Sequence, residues 1–363
     1  MHNLEYKLNQ VRTLLRDQGL DAVVFTTQHN FAWVTGGADN HVGITTEAGN
    51  ASVVVTPDRA VVFADNIEAA RVMDEEVGAL GLEVIAYPWW EGGLEARITA
   101  WVGSKNWKAD TPMGSRGSIE GSMYPLRSVF TDEELANYRL LGKLTGLALQ
   151  YASEFVEIGA TEHQIAGRLA EYLVSRGVTT NVILVAADER INLYRHPIPT
   201  DKPVQKVCML VVGARWKGLV CSCTRMVHFG KLPESLEEKH RQVCAVEAAF
   251  LSHTLPGESV GDAMQAGLAA YAAVGYPDEW QLHHQGGPTG YKGREFRALP
   301  DSDLAIAPNQ PFAWNPTITG AKSEDTVLAK EPFPEILTIT PDWPTIELDS
   351  PIGPIQRPGI LVK

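Results

Sequence analysis

From about residue 180 the apolar period of this chain changes from that of helices to that of strands, and this change limits what the chain can fold into. Two helices with matched start signals stand before it. Thr131-Asp132-Glu133-Glu134 puts threonine at an N-cap with glutamate three residues on, and Thr161-Glu162-His163-Gln164 repeats the device with glutamine. Leu140, Leu144, Leu147 and Tyr151 are spaced as the buried stripe of the first helix, and Ile165, Leu169, Tyr172 and Leu173 as that of the second. After the change, residues 181–186, 206–212 and 217–224 read as strands, with Gly213-Ala214-Arg215-Trp216 as a turn between the last two. Helices are expected over 236–251 and 259–274, then strands over 311–315, 325–329 and 335–339. The proline-rich end from Pro351 to Pro358 is expected to lie along the surface. Helices around a largely antiparallel sheet make this part α+β.

The first third of the chain alternates helix and strand, which predicts a small α/β domain. Leu4, Leu8, Val11, Leu14 and Leu15 have helical spacing, and Gly19 ends that helix. Residues 21–25 and 83–87 read as strands, 51–55 and 60–63 as a hairpin around Thr56-Pro57-Asp58-Arg59, and 66–77 as helix. Residues 30–37 read as turn-rich, with Phe31 and Trp33 exposed. The Gly, Ser and Pro of 103–125 give the best boundary, so the expected domains are 1–124 and 125–363.

A net charge of −13 argues against nucleic acid or an anionic membrane as partner, although a local arginine cluster can still bind an anionic substrate. The four cysteines, Cys208, Cys221, Cys223 and Cys244, have no CxxC spacing and read as reduced thiols of a cytoplasmic protein. The N-terminus carries no basic-then-apolar signal, and no apolar run approaches the ~20 residues that span a membrane.

Chemistry concentrates in one run, Gln281-Leu282-His283-His284-Gln285-Gly286-Gly287-Pro288-Thr289-Gly290-Tyr291-Lys292-Gly293-Arg294-Glu295. It combines adjacent histidines, a Gly-Gly-Pro turn that lets the backbone approach a ligand, and an arginine suited to a carboxylate. Tyr194-Arg195-His196-Pro197-Ile198-Pro199-Thr200-Asp201 precedes it. Trp314-Asn315-Pro316 and Lys322-Ser323-Glu324-Asp325 follow. These runs are expected to meet in one pocket that takes a small molecule or short peptide.

The order of these motifs resembles the pita-bread-fold family of aminopeptidase P, prolidase, methionine aminopeptidase and creatinase. The resemblance extends to the first domain through Gly19-Leu20-Asp21-Ala22 and Asn30-Phe31-Ala32-Trp33. It implies an α+β pita-bread C-terminal domain with a smaller α/β creatinase-type N-terminal domain. Peptidases of the family hold two divalent metals with Asp, Asp, His, Glu and Glu. The matching places here are Val211, Ser222, Gly287, Asn315 and Glu324. Dications need several anionic oxygens or imidazoles together, so the resemblance implies that the paired-metal site is absent and no cofactor is needed. A rival zinc reading from Cys221, Cys223, His228, His283 and His284 is the weaker one, because both cysteines fall on the strand face opposite Ser222.

What the resemblance leaves for chemistry is His196, matching the family histidine that acts as general acid/base in creatinase, and Glu324 as its partner. Arg294 and Glu295 resemble the Gly-Arg-Glu of creatinase, whose arginine binds the substrate carboxylate. His283, His284, Trp314, Asn315 and Arg225 complete the expected substrate-binding set. Val220 and Thr224 stand where creatinase has its guanidinium-binding carboxylate strand, so creatine is not the expected substrate. Phe31 and Trp33 match positions that reach a neighbouring subunit's pocket, which implies a homodimer. The expected activity is metal-independent, creatinase-like hydrolysis of a C–N or amide bond in a small carboxylate-bearing compound. An Xaa-Pro metallopeptidase and an inactive ligand-binding member are the other readings.

Overall fold

The computed structural model describes residues 3–363. It divides into two compact units, one running up to Glu134 with Lys217–Leu219, the other comprising Leu135–Trp216 and Val220–Lys363.

In the first unit α1 (Asn3–Gln18) leads into β1 (Ala22–Thr27), α2 (Gln28–Thr35), β2 (Ala48–Val55), β3 (Ala60–Asp65), β4 (Glu83–Tyr87), α3 (Leu94–Val102) and β5 (Trp107–Ala109). The sheet order is β4-β3-β2-β1-β5. β2 pairs antiparallel with β1 and β3, while β4 and β5 add in parallel. Its strands carry the valine-rich runs that a half-buried pleated surface favours. The expected turn at 30–37 is corrected here. Thr27 caps a helix through Asn30 N–H, and the Thr-Gly-Gly signal marks the end of that helix, where Gly36 takes φ 77°. Phe31 and Trp33 are fully buried on α2, with Trp33 edge-on to Phe25 at 6.0 Å and the Lys7 ammonium 5.0 Å from its ring centre. Neither has surface to offer a partner subunit or a ligand.

The second unit opens within α4 (Asp132–Glu154), followed by α5 (Glu162–Val174), which is held by the Thr161–Gln164 capping box. The expected stripe of α4 is displaced. Leu140 is 44% exposed, while Leu135, Tyr138, Leu141, Thr145, Ala148, Leu149 and Ala152 are buried. A methyl group at Gly142 or Gly146 would meet the carbonyl oxygens of Leu337 and Ile339, so bare backbone is what packs there. A stripe drawn from leucines alone misses it.

β6 (Thr179–Ala187), β7 (Val207–Trp216) and β8 (Leu219–His228) follow, then α6 (Glu234–Ser252) and α7 (Val260–Ala273). Gly213 to Trp216, expected as a turn, continues β7. The chain reverses at Lys217 and Gly218, both at positive φ (49° and 77°), as a two-residue hairpin turn demands. β9 (Gly286–Pro288), β10 (Pro311–Trp314), β11 (Asp325–Leu328), β12 (Glu335–Ile336), β13 (Thr345–Leu348), β14 (Ile355–Pro358) and β15 (Ile360–Val362) follow, with a short hairpin of Thr317–Ile318 and Ala321–Lys322 between β10 and β11. Two four-stranded sheets result, ordered β15-β8-β7-β6 and β12-β11-β10-β9. A bridge between Thr224 and Glu324 joins them, with Thr224 N–H donating to Glu324 O at 3.0 Å. The proline-rich end is not a surface strap. β14 pairs with β13, and Arg357 within it is buried.

Candidate active site

Strand alternation builds one wall of a cavity of about 240 Å³ in the second unit. Val182 and Leu184 on β6, Val211 on β7, and Val220 and Ser222 on β8 line it. Leu184 stands opposite Val211 in the β6–β7 register, so these alternate residues share a face. Cys221 and Cys223 on the same strand are buried away from the cavity lining, and burial pushes both thiols well up. They behave as small apolar groups.

A polar wall adjoins the strand-built one and comes from the segment before β11, which bridges to β8 at Thr224. Lys322 and Glu324 line the cavity, two residues apart, while Ser323 and Asp325 between and beyond them enter a buried charge network. In that network Arg357 Nη2 lies 2.7 Å from Glu247 Oε1 and also bonds Asp325, and Arg225 Nη2 donates to Asp325 Oδ1 at 2.9 Å. Ser323 donates to Glu247, and Asp325 N–H does so at 3.1 Å. Alternate residues of one short segment thus serve the cavity and its anchorage.

Glu324 is held on every side. Thr224 Oγ1 donates to Oε2 at 2.7 Å, Lys322 Nζ lies 3.0 Å from Oε2, and Arg294 Nη2 is 3.4 Å from Oε1. Burial pushes this carboxyl up, but the Lys322 and Arg294 cations outweigh it and keep it below the usual range. It is ionised at neutral pH. Asn315, just beyond β10, also lines the cavity, and its Oδ1 is buried without a partner.

Three histidines converge at the same cavity. His196 is exposed and faces the lining, and its Nε2 lies 3.1 Å from His283 Nε2. The His283 and His284 rings stack at 4.6 Å, and one nitrogen from each of the three falls within 4.8 Å of the others. Desolvation lowers the pKa of all three, aided by nearby cations such as Lys322; His284 is pushed down to about 4 and His283 further. All three are neutral at pH 7. In a neutral pair at 3.1 Å one Nε2–H donates to the lone pair of the other Nε2, and the donor ring keeps a free lone pair on Nδ1. This is the one cluster of histidine, cysteine and carboxylate groups among the described residues arranged so that it could hold a transition-metal ion.

The structure sorts the expected site residues. His196, His284, Arg294, Asn315 and Glu324 line one cavity, and His283 touches it through His196. Trp314 does not. It is buried between Phe250 (4.5 Å, stacked) and Phe312, with Nε1 donating to Thr254. Arg225 does not either, since its bonds go to Asp325, Thr338 O and Thr340. Glu295 lies outside the lining, and its N–H bonds Pro288 O to close the loop onto β9. Phe31 and Trp33 belong to the core of the first unit. Lys322 belongs to a run expected at the pocket, but sequence reasoning gave it no role there. Its signal was present, because a strand-like segment that turns Glu324 inward turns the residue two before it inward too.

The chain matches the family described as Metallopeptidase family M24 over residues 136–331 and the Creatinase/Prolidase N-terminal domain over residues 7–129. It is 23% identical over 349 residues to an uncharacterized peptidase, YqhT, of Bacillus subtilis, covering 92% of this chain and 98% of that protein. Among solved structures, an Xaa-Pro dipeptidase from Bacillus anthracis superposes with a TM-score of 0.78 at 18% identity, covering 99% of this chain and all of that one. The prolidase of Pyrococcus horikoshii gives 0.79 at 16% identity over 92% and 98%. The fold is thus that of the two-domain creatinase and prolidase proteins, with a pita-bread C-terminal domain.

Proposed function

For a chain that belongs to metallopeptidase family M24, we propose metal-independent hydrolysis of a C–N or amide bond in a small carboxylate-bearing compound. The observation that carries this reading is the saturation of Glu324 by Lys322, Thr224 and Arg294. A dication there would compete with two fixed cations for one carboxylate. The other matching places supply no charge: Val211 has no lone pair, and Ser222 and Asn315 are neutral. Gly287 has no room for a side chain, since a Cβ would lie 2.8 Å from Phe296 O and 3.0 Å from Ala298 N. The residues present do not fit a pair of divalent ions.

In this reading Arg294 clamps the substrate carboxylate, and Asn315 Oδ1 accepts from an amide N–H. Neutral His196, oriented by His283, takes a proton from water as its oxygen forms a bond to the carbonyl carbon. The C–N bond then breaks, and His196 returns the proton to the departing nitrogen, leaving an acid and an amine. Ionised Glu324 fixes Lys322 and Arg294 in place beside the reacting group.

The test is a library of N-acyl amino acids, with Xaa-Pro dipeptides included because a solved relative is described as an Xaa-Pro dipeptidase. His196→Ala should lower turnover at least ~10²-fold, the usual contribution of a general acid/base. An unchanged rate would overturn the proposal, and activation by manganese or cobalt would favour the metallopeptidase reading. The exposure of His196 favours a second reading, a member that binds its ligand without turnover. Thermal stabilisation by library members with no product would favour that one.

A further inference from the structure

The cavity is two-faced. Its lining holds a charged group, Arg294, Lys322 and Glu324, and an apolar group, Val182, Leu184, Val211 and Val220. Leu184, Val211 and Val220 are each buried in the wall, and Val182 sits 43% exposed. The two cations outnumber the single carboxylate they share, leaving one excess positive charge beside neutral histidines. Such a wall releases water favourably only against an apolar group, and such a pole attracts only an anion.

We infer that the cavity takes an amphiphilic carboxylate: an anionic head at Arg294 and Lys322, and an aliphatic tail laid on the sheet made by Val182, Leu184, Val211 and Val220. This rests on the carboxylate-binding role given to Arg294 above and adds the tail. A polar or cationic tail would leave the valine wall uncovered and desolvate its own polar groups without partners. For a substrate, the inference means that the part carrying the carboxylate, or the group acylated onto it, is aliphatic rather than sugar-like or guanidinium-like.

The test uses simple probes on the full chain by isothermal calorimetry: acetate, butyrate, hexanoate, hexylamine and 1-hexanol. Each methylene covered by the wall should tighten binding about fourfold, so hexanoate, with four more than acetate, should bind roughly 250-fold more tightly. Hexylamine and 1-hexanol should bind at least about tenfold more weakly than hexanoate, as loss of a charged hydrogen-bond partner implies. Arg294→Met should erase the preference of hexanoate over 1-hexanol. Val211→Ser should shrink the hexanoate-to-acetate ratio several-fold with acetate unchanged. Val182→Ser, at a partly exposed position, repeats that test if the first variant fails to fold. Equal affinity for acetate and hexanoate, equally tight hexylamine, or no carboxylate binding at all would overturn the inference. Graded carboxylate binding with His196→Ala still at full rate would instead sink the catalytic role and leave this inference standing.

Discussion

The ammonium of Lys322 lies 3.0 Å from the Glu324 carboxylate, both side chains are buried, and both face the same cavity. A buried pair is worth little against an apolar replacement of both partners but much against removal of one. Lys322→Met should therefore cost about 3–5 kcal/mol in urea denaturation, discounted by what Arg294 and Thr224 still provide to Glu324. Adding Glu324→Gln should return part of that loss, with a coupling of about 0.5–3 kcal/mol. Additive losses would mean that the two groups do not depend on each other.

Arg357 presents a stricter case. It bridges Glu247 and Asp325, and all three are buried. Arg357→Leu strands two carboxylates away from water, and a loss of about 3–5 kcal/mol is expected. The same variant should weaken hexanoate binding although Arg357 touches no ligand, because Asp325 anchors the segment that carries Glu324. Calorimetry and denaturation on one preparation would check both effects.

Acid should destabilise the fold in a defined window. Burial pushes His240 down to about 4 and His284 to about 4, with His283 lower still. Below about 6.5 the unfolded chain then binds protons that the folded chain refuses, so the unfolding free energy falls as pH drops from about 6.5 toward about 4. Buried Glu247, pushed up to about 6, works the opposite way between 4.5 and that value, but it is one group against three. Melting temperature should be flat above pH 7 and decline below 6, and His240→Gln should flatten the decline. A melting temperature that rises on acidification would contradict this balance.

The rate should follow a single neutral histidine. Desolvation and the Lys322 charge lower the pKa of His196 from 6.5. Acting as the base, it should give an acid limb whose midpoint lies below that value. His283→Phe removes the 3.1 Å partner, so it should lower the maximal rate and move the midpoint. A purely structural role for His283 would leave the midpoint in place.

Chelation offers a further check. Dialysis against EDTA should leave both melting temperature and rate unchanged. Added zinc should inhibit instead, because His196, His283 and His284 place one nitrogen each within 4.8 Å of the others and the ion would take the lone pair that His196 needs. Loss of activity on chelation would refute the metal-independent reading.

Much of the fold was legible where local chemistry decides it. The Thr161 capping box and the β2–β3 hairpin around Thr56-Pro57-Asp58-Arg59 are local signals, and both appear in the structure. The same holds for the run from Gln281, whose histidines do meet His196. Phe31 and Trp33 were misplaced because Thr35-Gly36-Gly37 reads equally as a turn or as the stop of a helix, and only burial separates the two. Lys322 was given no role, and Arg357 was missed, for another reason. A lone charge normally reads as surface: the carboxylates that hold Arg357, Glu247 and Asp325, lie far off in the chain, and the burial of Lys322 beside Glu324 depends on Thr224 and Arg294, which are likewise distant.

The split duty of residues 322–325 has an evolutionary edge. Point changes at Lys322 or Glu324 alter what the cavity can recognise while Ser323 and Asp325 keep their grip on Glu247, Arg225 and Arg357. A single-residue insertion or deletion there would exchange the two faces, burying the recognition groups and turning the anchor toward the ligand. Drift in this stretch is therefore expected by replacement at constant length, and a homologue of altered length here should have rebuilt the whole corner.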